Sequence, residues 1–199
     1  MNAGQRRIDA VVIGASAGGV EALMTVLPAL PGDFAVPVLV VLHLPRQTPS
    51  ALVEIFAPKC ALPVCDAEDK APIEPGTIYV AAPDYHLLVD QGPCVALSAD
   101  ETVNYSRPSI DVLFESAADF YGSRLAGIIL TGANADGARG LAAIEREGGV
   151  TIVQDPQTAY ASAMPAAALT QVVPHHLLTL GEIAGCLETL TTAVDEQKE

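Results

Sequence analysis

Residues Val11 to Leu23 read VVIGASAGGVEAL, and this stretch decides the fold. Val11-Val12-Ile13 is a short apolar, β-branched run of the kind found in strands covered on both faces. Gly14 to Gly19 are all small. Val20, Leu23, Met24 and Leu27 then recur at helical spacing. The reading is strand, tight turn, helix. Such a turn carries its residues over the end of a sheet, where a helix N-terminus presents unpaired N–H groups that stabilise an anion. Two functions fit it. One is a phosphate cradle of the G-x-G-x-x-G type, with Ser16 in place of the middle glycine. The other makes Ser16 a nucleophile held at a strand-to-helix elbow, although the flanks do not match G-x-S-x-G. Plain tight packing is the third possibility, so the rest of the chain must decide.

The chain has 199 residues, half of them hydrophobic, a length and composition that predict one folded domain over residues 1–199. Ten basic against 24 acidic residues give a formal net charge of −14, which argues against nucleic-acid binding. No apolar run reaches the roughly 20 residues of a membrane span, and no apolar segment follows the arginines of MNAGQRRID as a signal peptide requires. Cys60, Cys65, Cys94 and Cys186 form no C-x-x-C pair. Free thiols, a cytoplasmic location and the absence of a metal site are the expectation.

Along the chain, 36–42 is a second buried strand ending at His43. Thr48-Pro49 reads as a helix start, and Leu62 to Cys65 as a short strand. Three β-like runs follow at 77–82, 86–89 and 94–97, the last two joined by the turn Asp90-Gln91-Gly92-Pro93 into an antiparallel hairpin. Ile110, Leu113, Phe114, Ala117 and Tyr121 give a helix. Leu125 to Thr131 is a strong strand running into Gly132-Ala133-Asn134-Ala135-Asp136-Gly137, then a helix, a strand at 150–153, a short helix from Met164-Pro165, and a last strand at 171–173. Thr179 and Glu182 form a capping-box pattern before a terminal helix. Alternating strands and helices predict a doubly wound α/β fold. Its sheet is mostly parallel, with helices on both faces and a small antiparallel hairpin region.

In such sheets, ligands bind beyond the carboxyl ends of the strands. Ser16 follows the first strand, His43 ends the second, and Asp136 follows the strand at 125–131, so all three belong on one rim. These are the residue types of a nucleophile, its general base and the carboxylate that orients the base. Each has a plainer reading alone: His43 as a satisfied strand-end histidine, Asp136 as a helix N-cap. Arg107, in SRPSID and one of only ten basic residues, is either a solvated arginine or a group that orients an acidic or polar part of a substrate.

The segments VVIGASAGGVEAL, VVLHLP, IYVAAPDYHLLV, SRPSIDVLFESAA, GIILTGANADGARGL and GGVTIVQDPQTAYASAMPAAAL together resemble the catalytic domain of the chemotaxis protein-glutamate methylesterases of the CheB type. The resemblance runs from about Ile8 to Leu169. It implies a cytoplasmic serine hydrolase on a doubly wound fold that demethylates glutamate esters on chemoreceptor signalling helices and deamidates certain glutamines there. It implies no cofactor. The family's triad falls on Ser16, His43 and Asp136, and its backbone oxyanion contact on Ala133; a mechanism built on these residues takes a second donor from the N–H near Ala17, at the helix start. The expected partner is a methylated chemoreceptor or a similar sensory protein, with a separate regulatory protein possible and no membrane insertion. Ala133 stands where the family often has Met, and Asn134-Ala135 replace a glycine-containing pair. Many members carry a receiver domain before the catalytic one. Here the first strand begins almost at the start, so a stand-alone enzyme or an excised catalytic domain is expected. The rival reading is a non-catalytic or nucleotide-binding module that acts through protein interaction. Against it stand the missing middle glycine and His43 in the place of a ribose-binding carboxylate.

Overall fold

The computed structural model describes residues 8–44 and 51–192. In chain order the elements are β1 (Ala10–Ala15), α1 (Gly19–Val26), β2 (Val38–Leu42), α2 (Leu52–Phe56), β3 (Val64–Asp66) and β4 (Ile78–Val80). Next come β5 (His86–Asp90), β6 (Cys94–Ser98), α3 (Ile110–Tyr121), β7 (Leu125–Ile129) and α4 (Ala138–Arg146). The chain continues through β8 (Val150–Gln154), α5 (Ala163–Gln171), β9 (His176–Leu178) and α6 (Leu180–Thr192).

Seven strands form one parallel sheet in the order β3-β4-β2-β1-β7-β8-β9, and β5 and β6 form a separate antiparallel pair. The expected doubly wound architecture and hairpin are both present. The alternation of each strand sorts its side chains between two cores. Val11 and Ile13 of β1 pack with Leu23 of α1, Phe56 of α2 and Leu187 of α6. Ala10 and Val12 pack on the other face with Leu113 of α3, Leu141 of α4 and Ala168 of α5. Because both faces are covered, the central strands are buried throughout, as continuous apolar runs require.

The chain leaves β1 toward β2 on one side and returns to β7 on the other. The switch point of the sheet therefore lies between β1 and β7, where an open α/β sheet has its crevice. Close approach there depends on Gly14. A Cβ at this position would lie 2.3 Å from Ile110 Cγ2, at the start of α3. Gly14→Ala is expected to destabilise the protein by about 1–3 kcal/mol, the usual cost of overpacking a dense core. A lowered urea midpoint with an unchanged slope would show it; an unchanged midpoint would mean that α3 yields freely.

Two sequence expectations meet different outcomes at the chain's later part. The last strand is His176–Leu178 and not 171–173, since Gln171 still belongs to α5 and Val172 N–H donates to Ala168 O at 3.1 Å. A short apolar run reads equally as a strand or a helix end, and here the helix takes it. Half of the capping box forms: Glu182 Oε2 accepts from Thr179 N–H at 2.8 Å. The Thr179 hydroxyl donates to the same oxygen at 2.7 Å, and Glu182 N–H goes to Thr179 O at 3.1 Å instead of to the hydroxyl. The Thr48-Pro49 helix start lies outside the described residues.

Candidate functional site

Strand pairing alone brings two of the three candidate residues together. β1 and β2 pair in parallel with Ala15 opposite Leu42. One residue further, Ser16 stands beside His43, about one strand spacing away (~4.8 Å). His43 N–H donates to Ala15 O at 3.0 Å, and Ser16 N–H donates to Thr131 O at 2.9 Å. The elbow after Ser16 is tight. Gly18 has φ 76°, and a Cβ there would lie 2.6 Å from Tyr160 Cβ. Thr131 ties the elbow down, its hydroxyl donating to Ala17 O at 2.8 Å.

Asp136 arrives from the loop after β7 and is fully buried. Its Oδ2 accepts from His43 Nε2 at 2.9 Å and from Ile110 N–H at 2.7 Å. Its Oδ1 accepts from Asn104 Nδ2 at 2.8 Å, Ser109 Oγ at 2.8 Å and Asp111 N–H at 3.3 Å. Burial by itself pushes the carboxyl up, but the donors from His43, Asn104, Ile110 and Ser109 outweigh it and hold it below the ordinary carboxylate value.

A reciprocal arrangement explains how a buried carboxylate is kept there. Asp136 does not cap the helix that follows it. It caps α3 instead, where the first N–H groups and the positive end of the helix dipole favour an anion. In exchange Asp111, in the first turn of α3, caps α4: its Oδ1 accepts from Gly137 N–H at 3.0 Å and Gly140 N–H at 2.7 Å. Burial, foremost, pushes the Asp111 carboxyl up; the Gly140 N–H opposes this, and the neighbouring Asp136 charge adds to it. Asn104 lies between the two carboxylates and donates from one amide nitrogen to both, at 2.9 Å to Asp111 Oδ2 and 2.8 Å to Asp136 Oδ1. Its backbone is left-handed, φ 52°, a conformation asparagine tolerates better than most residues. His86, also buried, holds the Ser109 end: its Nδ1 accepts from Ser109 N–H at 3.1 Å.

Asn104→Ala is expected to lower kcat on an ester substrate about tenfold with little change in KM, and to lower stability by about 1–2 kcal/mol, since two hydrogen bonds to charged acceptors are lost. Parallel kinetics and urea unfolding check both. An unchanged kcat would mean that Asp136 is held well enough without it.

Among the other sequence candidates, the N–H groups of Ala17 and Ala133 donate to nothing among the described residues, which leaves them open to a ligand. Arg107 is not drawn into this network. Its Nη1 donates to Ala99 O at 2.8 Å and Asp100 O at 2.9 Å, which ties down the loop before α3. Asn104, Ser109, Asp111 and Thr131 join the site without standing out as candidates in the sequence. The signal for two of them was in SRPSID: a Ser and an Asp at a helix start. Hydroxyl, imidazole and buried carboxylate on one rim, beside open N–H groups, can carry out nucleophilic acyl transfer. No hydrogen bond joins Ser16 Oγ to His43; the second ring nitrogen faces Asn134.

Comparison with known proteins gives a consistent set of relatives. Residues 11–187 match the family model described as CheB methylesterase. A relative from Leptospira interrogans is 44% identical over 176 residues, covering 88% of this chain and 91% of that one. A Caulobacter vibrioides protein named protein-glutamate methylesterase/protein-glutamine glutaminase 2 is 38% identical over 180 residues, 88% of this chain and 52% of its own. The crystal structure of the Thermotoga maritima CheB methylesterase catalytic domain superposes with a TM-score of 0.86 at 31% identity, covering 90% of this chain and 97% of that one.

Proposed function

The chain belongs to the CheB methylesterase family, and from that premise we propose that it is a serine hydrolase that demethylates glutamate methyl esters, and deamidates glutamines, on chemoreceptor signalling helices in the cytoplasm. The observation that best supports this is the 2.9 Å contact of His43 with the buried, ionised Asp136 beside Ser16, at the switch point of the sheet.

Asp136 accepts the proton on His43 Nε2, so the ring's basic position is Nδ1. In the first half-reaction His43 Nδ1 takes the Ser16 proton as Oγ bonds to the ester carbonyl carbon. The N–H groups of Ala17 and Ala133 hold the oxyanion; one such donor is worth about 3 kcal/mol in the transition state. The tetrahedral adduct collapses, the C–O bond to the methoxy group breaks, and His43 passes the proton to the departing methanol. Water then attacks the acyl-serine with the same proton relay, releasing glutamate and restoring Ser16. A glutamine substrate loses ammonia in place of methanol. Asp136 stays ionised throughout and stabilises the imidazolium.

The test is methanol release from a methylated chemoreceptor, with a nucleotide-binding titration beside it. Methanol release above the spontaneous rate supports the hydrolase. No release together with nucleotide binding would support the module that acts through interaction.

A further inference from the structure

We propose that Asn134 is a positioning residue that caps the basic nitrogen of His43 in the resting enzyme and must let go before Ser16 can be activated. The inference rests on the proposed hydrolase reading and deepens it.

Asn134 makes two contacts of fixed sense. Its Oδ1 accepts from Asp136 N–H, two residues on, at 3.1 Å. This is an Asx turn, and it settles which end of the carboxamide points where. The NH₂ end is left facing His43 Nδ1 at 3.3 Å. A carboxamide nitrogen only donates, so Nδ1 is the acceptor. Nε2 carries the proton that Asp136 accepts. The ring is thereby held between two groups in one tautomer, the one that keeps a lone pair on Nδ1.

That lone pair is also the one required by the Ser16 proton. Ser16 stands beside His43 across the β1–β2 pairing, yet its hydroxyl does not reach the ring, and the Asn134 amide occupies the site. Asn134 and Ser16 thus compete for one acceptor. The loop is built to let Asn134 move. Its two ends are pinned, at Gly132 by bonds to Ala161 O and Met164 N–H, and at Gly137 by Asp111. Between these pins Ala133 and Ala135 are exposed and Asn134 is half-buried, so its side chain has solvent to turn into.

The test uses Asn134→Ala and Asn134→Ser on a small methyl ester. Serine can still accept from Asp136 N–H in the equivalent short turn, but it is too short to reach His43. Both variants lose the cap; only alanine also loses the turn. The expected result is a rise of about 2- to 12-fold in kcat/KM for both variants, the factor that the net strength of one neutral hydrogen bond implies. The Nδ1 resonance of His43 in a nitrogen-15 spectrum should also move in both. If kcat/KM stays level or falls in both variants while that resonance does not move, the cap is overturned. A change with alanine but none with serine overturns it too, since that assigns Asn134 to the turn alone. A wild-type enzyme that hydrolyses no ester speaks against the hydrolase reading, whereas an active wild type with unaltered variants speaks against the cap only.

Discussion

Ser16→Ala is expected to lower kcat for methyl-ester hydrolysis by about 10⁴- to 10⁶-fold, as loss of a triad nucleophile does. Methanol release at saturating substrate measures it. The hydroxyl has no hydrogen-bond partner among the described residues, and Ser16 sits half-buried at the elbow rather than in a core. Stability should therefore stay within about 0.5 kcal/mol of wild type. Residual oxyanion donors at Ala17 and Ala133 would leave a small rate above the spontaneous one. A variant that keeps a tenth of the wild-type turnover would remove Ser16 from the reaction.

Asp136→Asn is expected to damage both activity and fold. In activity, the amide no longer compels the tautomer that leaves Nδ1 basic, and a loss of about 10⁴-fold in kcat is expected. In stability, the reason is a count of donors. Among the described residues, every hydrogen-bond partner of the two carboxylate oxygens is a donor: His43 and Ile110 on one, Asn104, Ser109 and Asp111 on the other. An asparagine must aim its NH₂ at one of these sets. The unmade bonds and the facing donors should cost about 2–4 kcal/mol, since buried polar groups left unpaired carry their full desolvation penalty.

The pH dependence has a definite sign. The folded-state value of Asp136 lies below the ordinary one. Its contribution to stability is therefore fully present above the unfolded value of about 3.9 and is lost as pH falls through the lower folded value. The stability gap between wild type and Asp136→Asn should be wide at neutral pH and narrow in acid. A gap that widens in acid would contradict the assignment of Asp136 as a buried, ionised carboxylate.

Much of this arrangement was legible in the sequence because it depends on strand ends. Once the apolar runs at Val11, Val38 and Leu125 are taken as parallel strands, Ser16, His43 and the loop to Asp136 must share a rim. The supporting shell was not legible. Asp111 and Asp136 are 25 positions apart, and nothing in either local pattern says that each caps the other's helix. Asn104 lies in a polar loop where an asparagine is ordinary. Its use depends on a left-handed backbone that turns the side chain toward two carboxylates. Arg107, which the sequence reads as solvated or substrate-binding, grips loop carbonyls with its guanidinium, while the Ser and Asp of the same motif reach the site. Asn134 was visible as a departure from the family's glycine-containing pair; the contact with His43 that gives it meaning exists only in three dimensions.

The most direct measurement for the central claim is labelling with a serine-directed phosphonate, followed by peptide mapping. Phosphorus bonds to the attacking oxygen only where a serine is activated by its neighbours, so the site of the adduct identifies the nucleophile without a receptor substrate. The expected result is one adduct, on Ser16, with labelling and ester hydrolysis lost in step. Labelling should be abolished by Ser16→Ala and slowed by Asp136→Asn. An adduct on another serine, or full ester hydrolysis by a chain whose Ser16 stays unlabelled, would contradict it.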